Sequence, residues 1–210
     1  MTYKESVVRG TVHSEHFVQL FDSQESLASS VASYLAPAVE SGDNILVVAK
    51  PKNWEAIAIE LKALGCDVNR GVQNGRITVL DAGTSLHSLS RGDMPDVVKF
   101  DEVVGSLVRS LTAGRRLTIY GEMVELLAEE GNFDGVLRLE GLWNSLSENV
   151  SFRLMCGYSS AHFACGHGEA ELQNVCKAHS AVRTRSEDPL GAWLVERTRL
   201  PIKPDLLTAN

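Results

Sequence analysis

Five short apolar runs alternate with longer stretches at helical spacing, and this alternation restricts the fold more than any other feature of the chain. The runs are Phe17–Phe21, Ile45–Ala49, Ile77–Leu80, Leu117–Tyr120 and Phe152–Cys156. Between them, apolar residues recur every three or four positions, as in Leu27, Val31, Tyr34, Leu35, Ala38 and Val39 or in Trp54, Ile57, Leu61 and Leu64, which is the mark of helices with one buried face. Strand–helix alternation of this kind implies right-handed crossovers and a mainly parallel sheet covered on both faces. The expected fold class is α/β, a three-layer sandwich with a mainly parallel central sheet.

Local signals set the expected boundaries. Asp22 and Glu25 read as a capping box opening the first helix, which Gly42 closes. Gly65 and Gly114 are the expected stops of the second and third helices, and Gly131-Asn132 breaks the stretch that follows the fourth run. Residues 82–99, rich in glycine and serine, read as irregular. After about residue 180 the pattern fades into Arg183, Arg185, Pro189, Pro201 and Pro204, so residues 1–180 are expected to form one domain. Residues 181–210 would then be an extension packed on or beside it, with one short helix.

At 210 residues with 44% hydrophobic and 22% charged, the composition is that of a globular chain. No run approaches the ~20 apolar residues of a spanning helix, and the net charge of −7 disfavours direct nucleic-acid or membrane-surface binding. Cys66, Cys156, Cys165 and Cys176 are too few and too uneven for a disulfide framework, and Met1 to Gly10 lacks an apolar signal core, so a cytoplasmic protein is expected.

Open parallel sheets bind ligands at the carboxyl ends of their strands. Here those ends carry Asp22, Lys50, Asp81, Glu122 and Tyr158. Asp22 and Asp81 also read as helix caps, and Lys50 as a solvated loop lysine. Glu122, directly after an apolar strand, must find a donor or shift its pKa upward, and Glu140, a carboxylate in mid-helix, is expected to support Glu122 from behind.

Catalytic motifs are missing. The first crossover, Asp22-Ser23-Gln24-Glu25-Ser26, has neither the glycines nor the lysine of a phosphate-binding loop, and its carboxylates would repel a triphosphate. No Gly-x-Ser-x-Gly elbow occurs. Cys165-x-His167 and Cys176-x-x-His179 have zinc-compatible donors but match no common zinc spacing, and Cys156 reads as a small apolar strand residue. His13 and His16 read as core or interface histidines. No catalytic residue, resident metal or cofactor is expected.

Several ordered motifs resemble one family: His16-Phe17, Gly42-Asp43 before Ile45–Ala49, Gly75-Arg76-Ile77, Leu80-Asp81-Ala82 and Asp96 with Phe100. Stronger still are Tyr120-Gly121-Glu122-Met123-Val124, Leu139-Glu140-Gly141-Leu142-Trp143-Asn144 and Leu154-Met155-Cys156-Gly157-Tyr158. Together they resemble the MEDS domain, the methanogen/methylotroph sensory domain, over about residues 13 to 182, and Cys176 and His179 fall where that family commonly has Cys-x-x-His.

The resemblance implies a RecA/KaiC-like fold without the phosphate-binding loop, and a non-catalytic sensory and signal-transduction role. A small organic effector would be bound and the signal passed to a transcription regulator, histidine kinase or anti-sigma-type protein. The expected mechanism is an effector near the strand ends biasing segment 82–99. A homodimer is one arrangement the extension would allow. The alternatives are a ligand-free protein-interaction module docking through a helix face and the Arg183–Lys203 tail, and a metal or redox switch built on Cys165, His167, Cys176 and His179.

Overall fold

The computed structural model describes residues 14–163, 168–184 and 202–204. Its strands are β1 (Glu15–Phe21), β2 (Asn44–Ala49), β3 (Ile77–Asp81), the two-residue β4 (Ser90–Arg91) and β5 (Met94–Pro95), β6 (Leu117–Gly121), β7 (Arg153–Ser159), β8 (Ala181–Thr184) and β9 (Ile202–Pro204). Seven of them form one sheet in the order β3-β2-β6-β7-β1-β8-β9 with every neighbouring pair parallel, while β4 and β5 make a small antiparallel hairpin.

The helices are α1 (Gln24–Glu40), α2 (Pro51–Ala63), α3 (Val68–Gln73), α4 (Ala82–Leu89), α5 (Val97–Phe100), α6 (Ser106–Leu111), α7 (Met123–Glu129), α8 (Phe133–Ser147) and α9 (Gly168–Lys177). A π-turn at Asp101–Gly105 joins α5 to α6. Strand parity divides the core in two. Phe17, Ile45, Val47, Tyr120 and Met155 point to the side packed by α1 and α2 with Val31, Leu35, Ile57 and Leu61. Val18, Leu46, Ile119, Leu154, Cys156 and Tyr158 point to the other, covered from α4 through α9. The expected three layers are present.

Trp143 of α8 locks the second layer. Its ring meets Phe100 edge-on at 5.2 Å and Phe152 at 6.0 Å, geometries worth ~0.5–1.5 kcal/mol each beyond area burial. Val136, Leu139, Glu140 and Trp143 are all buried, spaced i, i+3, i+4, i+7 as the inward stripe of a helix. Glu140 therefore occupies a core position.

Two expectations need correction. The cap of α1 is Ser23, whose box partner is Ser26, rather than Asp22 with Glu25. Segment 82–99 is ordered as α4, the β4–β5 hairpin and α5. Ala82, Ser85 and Leu89 are buried and Leu86 half-buried on one face of α4, a helical period hidden by small polar residues. In the extension, Arg183 and Lys203 are paired positions of β8 and β9, which continue the sheet beyond β1. The short helix expected in the extension lies outside the described residues.

Candidate functional site

Ionisable residues gather at two places on opposite faces of the sheet. At the carboxyl end of β6, Glu122 is fully buried. Its Oε2 accepts from the backbone N–H of Lys50 at 2.7 Å, and its Oε1 accepts from Asn53 Nδ2 at 3.0 Å and from the Tyr120 hydroxyl at 2.9 Å. Burial pushes the Glu122 carboxyl above its ordinary value against the opposing pull of these donors. Glu122 thus both finds donors and titrates high.

Gly157 makes room for this arrangement. A Cβ there would stand 2.9 Å from the Tyr120 hydroxyl oxygen and 3.2 Å from its ring, so glycine lets Tyr120 lie across β7 and reach Glu122. One turn along α7, Glu125 accepts from the Ser159 backbone N–H and bonds His162 Nε2, both at 2.9 Å. Its carboxyl too is raised, by burial first and despite these partners.

The remaining expected site residues divide. Lys50 extends its amine to Glu129 Oε2 at 2.7 Å on the surface, an exposed pair worth about 0–1 kcal/mol. Asp22 is exposed and accepts from the Ser26 hydroxyl at 2.8 Å. Asp81 caps α4, its Oδ1 accepting from the Thr84 N–H at 2.6 Å, and hydrogen bonding to Thr84 holds its carboxyl below the usual range. Glu122 and Lys50 are brought together; Tyr158 and Glu140 are brought together elsewhere.

That second place lies between the sheet and α8. Glu140 is completely buried, its Oε1 accepting from the Tyr158 hydroxyl. His16 Nε2 stands 3.1 Å from Glu140 Oε2, and His179 Nε2 stands 3.3 Å from Oε1. Cys156 Sγ is 3.4 Å from His16 Nε2 and 3.7 Å from Glu140 Oε2. Burial works to raise the Glu140 carboxyl, but His179 and then His16 outweigh it and hold it well below the carboxylate range. Burial followed by Glu140 pushes the Cys156 thiol and the Tyr158 hydroxyl up.

Glu140 therefore does not support Glu122 from behind: the two carboxylates serve opposite faces and share no hydrogen-bond partner. His179 meets Cys176 only through the backbone, its N–H donating to Cys176 O at 3.1 Å, while the Cys176 side chain packs with Leu172 and Val175 in the apolar layer, its thiol raised to about 11 by burial. Cys165, His167 and His13 lie outside the described residues. His16 is a core histidine as expected, yet its grouping with Glu140, Cys156 and His179 was missed. The available signal was polar residues at apolar parity: His16 in phase with Val18 and Leu20, and Glu140 inside the Val136–Trp143 stripe.

The first crossover shows how α1 begins. Ser26 N–H donates to Ser23 Oγ at 3.1 Å and Ser23 N–H donates to Ser26 Oγ at 3.2 Å. The helix entry is closed on itself by serine side chains, with Asp22 beside it. An open groove of about 800 Å³ lies at the other end of the sheet, lined by Arg109, Arg116 and Arg153 among others. These three arginines pair with Asp101, Asp43 and Glu15 respectively.

A family profile described as "MEDS: MEthanogen/methylotroph, DcmR Sensory domain" matches residues 15–180. No curated protein matches the chain. Among solved structures, the fold is similar to that of the KaiC-like protein PH0186 from the hyperthermophilic archaeon Pyrococcus horikoshii OT3. The TM-score is 0.51 at 14% identity, covering 80% of this chain and 70% of the other. That likeness establishes a KaiC-like, RecA-type architecture. Among the described residues, no helix is long and apolar enough to cross a membrane.

Proposed function

This chain belongs to the MEDS family of sensory domains, and from that premise we propose that it is a cytoplasmic, non-catalytic sensor that binds a small organic effector in place of a nucleotide. The observation that carries the reading is the self-capped entry of α1. In a nucleotide-binding sheet the first helix offers free backbone amides and its dipole to phosphate. Here Ser23 and Ser26 satisfy each other across that entry, and Asp22 and Glu25 add negative charge. A triphosphate meets repulsion and few donors.

Effector recognition falls to the carboxyl end of the sheet, where Glu122, Asn53, Lys50, Glu125 and His162 place acceptors, donors and titratable groups. Asp22 and Asp81 border this region. Tyr158 and Glu140 act from the opposite face by holding β7 against α8. An effector that exchanges for the partners of Glu122 changes the contacts of α2 and α7 together, since Asn53 lies on one and Glu122 precedes the other. Such a change shifts a conformational equilibrium by the effector's differential affinity for the two states. The output passes to a regulator, histidine kinase or anti-sigma-type protein.

Native mass spectrometry and thermal shift with a panel of small alcohols, amines, acids and halogenated hydrocarbons test this reading. A stabilising compound whose effect is lost in Asn53→Ala is the expected result; uniform indifference to the panel contradicts it.

A further inference from the structure

We propose that His16, Cys156, Glu140 and His179 form a binding site for one thiophilic divalent metal ion, with zinc the best match. Their four donor atoms all lie within 4.8 Å of one another, and all four residues are buried. A tetrahedral ion with arms of about 2.0–2.3 Å holds its donors roughly 3.3–3.8 Å apart. With Glu140 Oε2 as its ligand atom, three of the six separations are 3.1, 3.4 and 3.7 Å, and His179 Nε2 stands 3.3 Å from the other oxygen of the same carboxylate, so the donors already stand near the edges of such a tetrahedron.

The outer partners fix the imidazoles in a metal-binding tautomer. His16 Nδ1 is 2.9 Å from Asn144 Oδ1, and Asn144 Nδ2 donates to Ala178 O at 2.8 Å, which sets the orientation of the amide. His179 Nδ1 is 2.7 Å from Val175 O. Both partners only accept, so both Nδ1 atoms carry a proton, and the Nε2 atoms, which face Glu140, are left as the ones that would hold the ion. Outward-bonded imidazoles of this kind are the usual support for metal ligands.

An independent sign points the same way. His179 Nε2 is completely buried and aimed at the group, and it faces Glu140 Oε1 at 3.3 Å without a well-formed hydrogen bond. Buried polar atoms are rarely left in that state.

The donor set selects the ion. Two imidazole nitrogens, a sulfur and a carboxylate oxygen suit zinc, with cobalt(II) as its spectroscopic substitute, and disfavour magnesium or calcium. On binding, the Cys156 S–H bond breaks with its electron pair retained on sulfur to form the metal bond, and the proton leaves to solvent. Thiolate and carboxylate then neutralise the ion's two charges. The four ligands enclose it, as in structural rather than catalytic sites, and it ties β1, β7, α8 and the turn after α9 to one point. This inference stands apart from the effector reading.

Titration of chelator-treated full chain with cobalt(II), then displacement by zinc, tests it. The expected result is one equivalent bound, with tetrahedral visible bands and a thiolate-to-cobalt charge-transfer band that Cys156→Ser abolishes. Asn144→Ala, which leaves the ligands in place, is expected to weaken zinc about 10–100-fold. Should Cys156→Ser fail to fold, X-ray absorption of the zinc-loaded wild-type chain decides: one sulfur with three nitrogen or oxygen neighbours supports the site. No binding, binding unchanged by Cys156→Ser and Asn144→Ala, or a shell with no sulfur or with two sulfurs overturns it.

Discussion

The imidazole of His179 approaches the Glu140 carboxylate to 3.3 Å without hydrogen-bonding it, although both side chains are sealed from solvent. Glu140 is the centre on which His16, His179, Cys156 and Tyr158 converge. Removing one partner from a buried ionic group leaves the others desolvated and uncompensated, at about 3–5 kcal/mol. Glu140→Ala is expected to lower the unfolding free energy by that amount in urea titrations with chelator present. A change near zero would mean the group contributes nothing to the fold.

Gly157 and Tyr120 are coupled by space. In Gly157→Ala the new methyl meets the Tyr120 hydroxyl at 2.9 Å, and overpacking of this kind costs about 1–3 kcal/mol. Removing that oxygen relieves much of the clash, so Gly157→Ala is expected to cost less in a Tyr120→Phe background than alone. A double-mutant cycle of urea melts measures the coupling, and strict additivity would contradict the packing described.

Glu122 gives the pH dependence a defined sign. Its folded carboxyl titrates above the ordinary 4.5, so between that value and the raised one the folded state holds more proton than the unfolded state. Stability from this group therefore falls as pH rises through the window. Relative to Glu122→Gln, the wild-type chain is expected to lose stability as pH is raised from 4.5, and the Glu122 carboxyl carbon to show an NMR midpoint above 4.5. A midpoint at or below it would refute the burial argument.

Asp81 tests whether a helix cap and an effector contact can be told apart. Loss of an N-cap costs about 0.5–2 kcal/mol, so Asp81→Ala is expected to lower the melting temperature and to increase amide exchange in the first turn of α4. If Asp81 acts only as a cap, effector-induced stabilisation keeps its size in this variant.

The sheet could be read from the chain because strands covered on both faces are almost wholly apolar. Ile45–Ala49 is short, wholly apolar and rich in β-branched residues, as a doubly covered strand requires, and Gly65, with φ of +86°, stops the helix that follows as its position suggests. Segment 82–99 was harder to read because α4 is short and its buried face carries Ala82 and Ser85, whose small side chains give little hydrophobic contrast. The strands β8 and β9 are too brief for a period to register.

The site was legible only in part. Glu122 stood out because a carboxylate follows an apolar strand directly. The His16, Cys156, Glu140 and His179 group brings together residues up to 163 positions apart, and no spacing rule links them. Only the three-dimensional crossing of β1, β7 and α8 makes them neighbours. His16 and Cys156 read as a core histidine and a buried thiol, Glu140 as a support for Glu122 and His179 as a partner of Cys176, since the chemistry resides in their convergence.

Calorimetric titration of the full chain with magnesium-ATP, followed by a phosphate-release assay, tests the sensory reading most directly. With Ser23 and Ser26 closing the entry of α1, no saturable binding and no turnover are expected. Stoichiometric magnesium-dependent binding, or hydrolysis that disappears when Ser23 and Ser26 are altered, would contradict it.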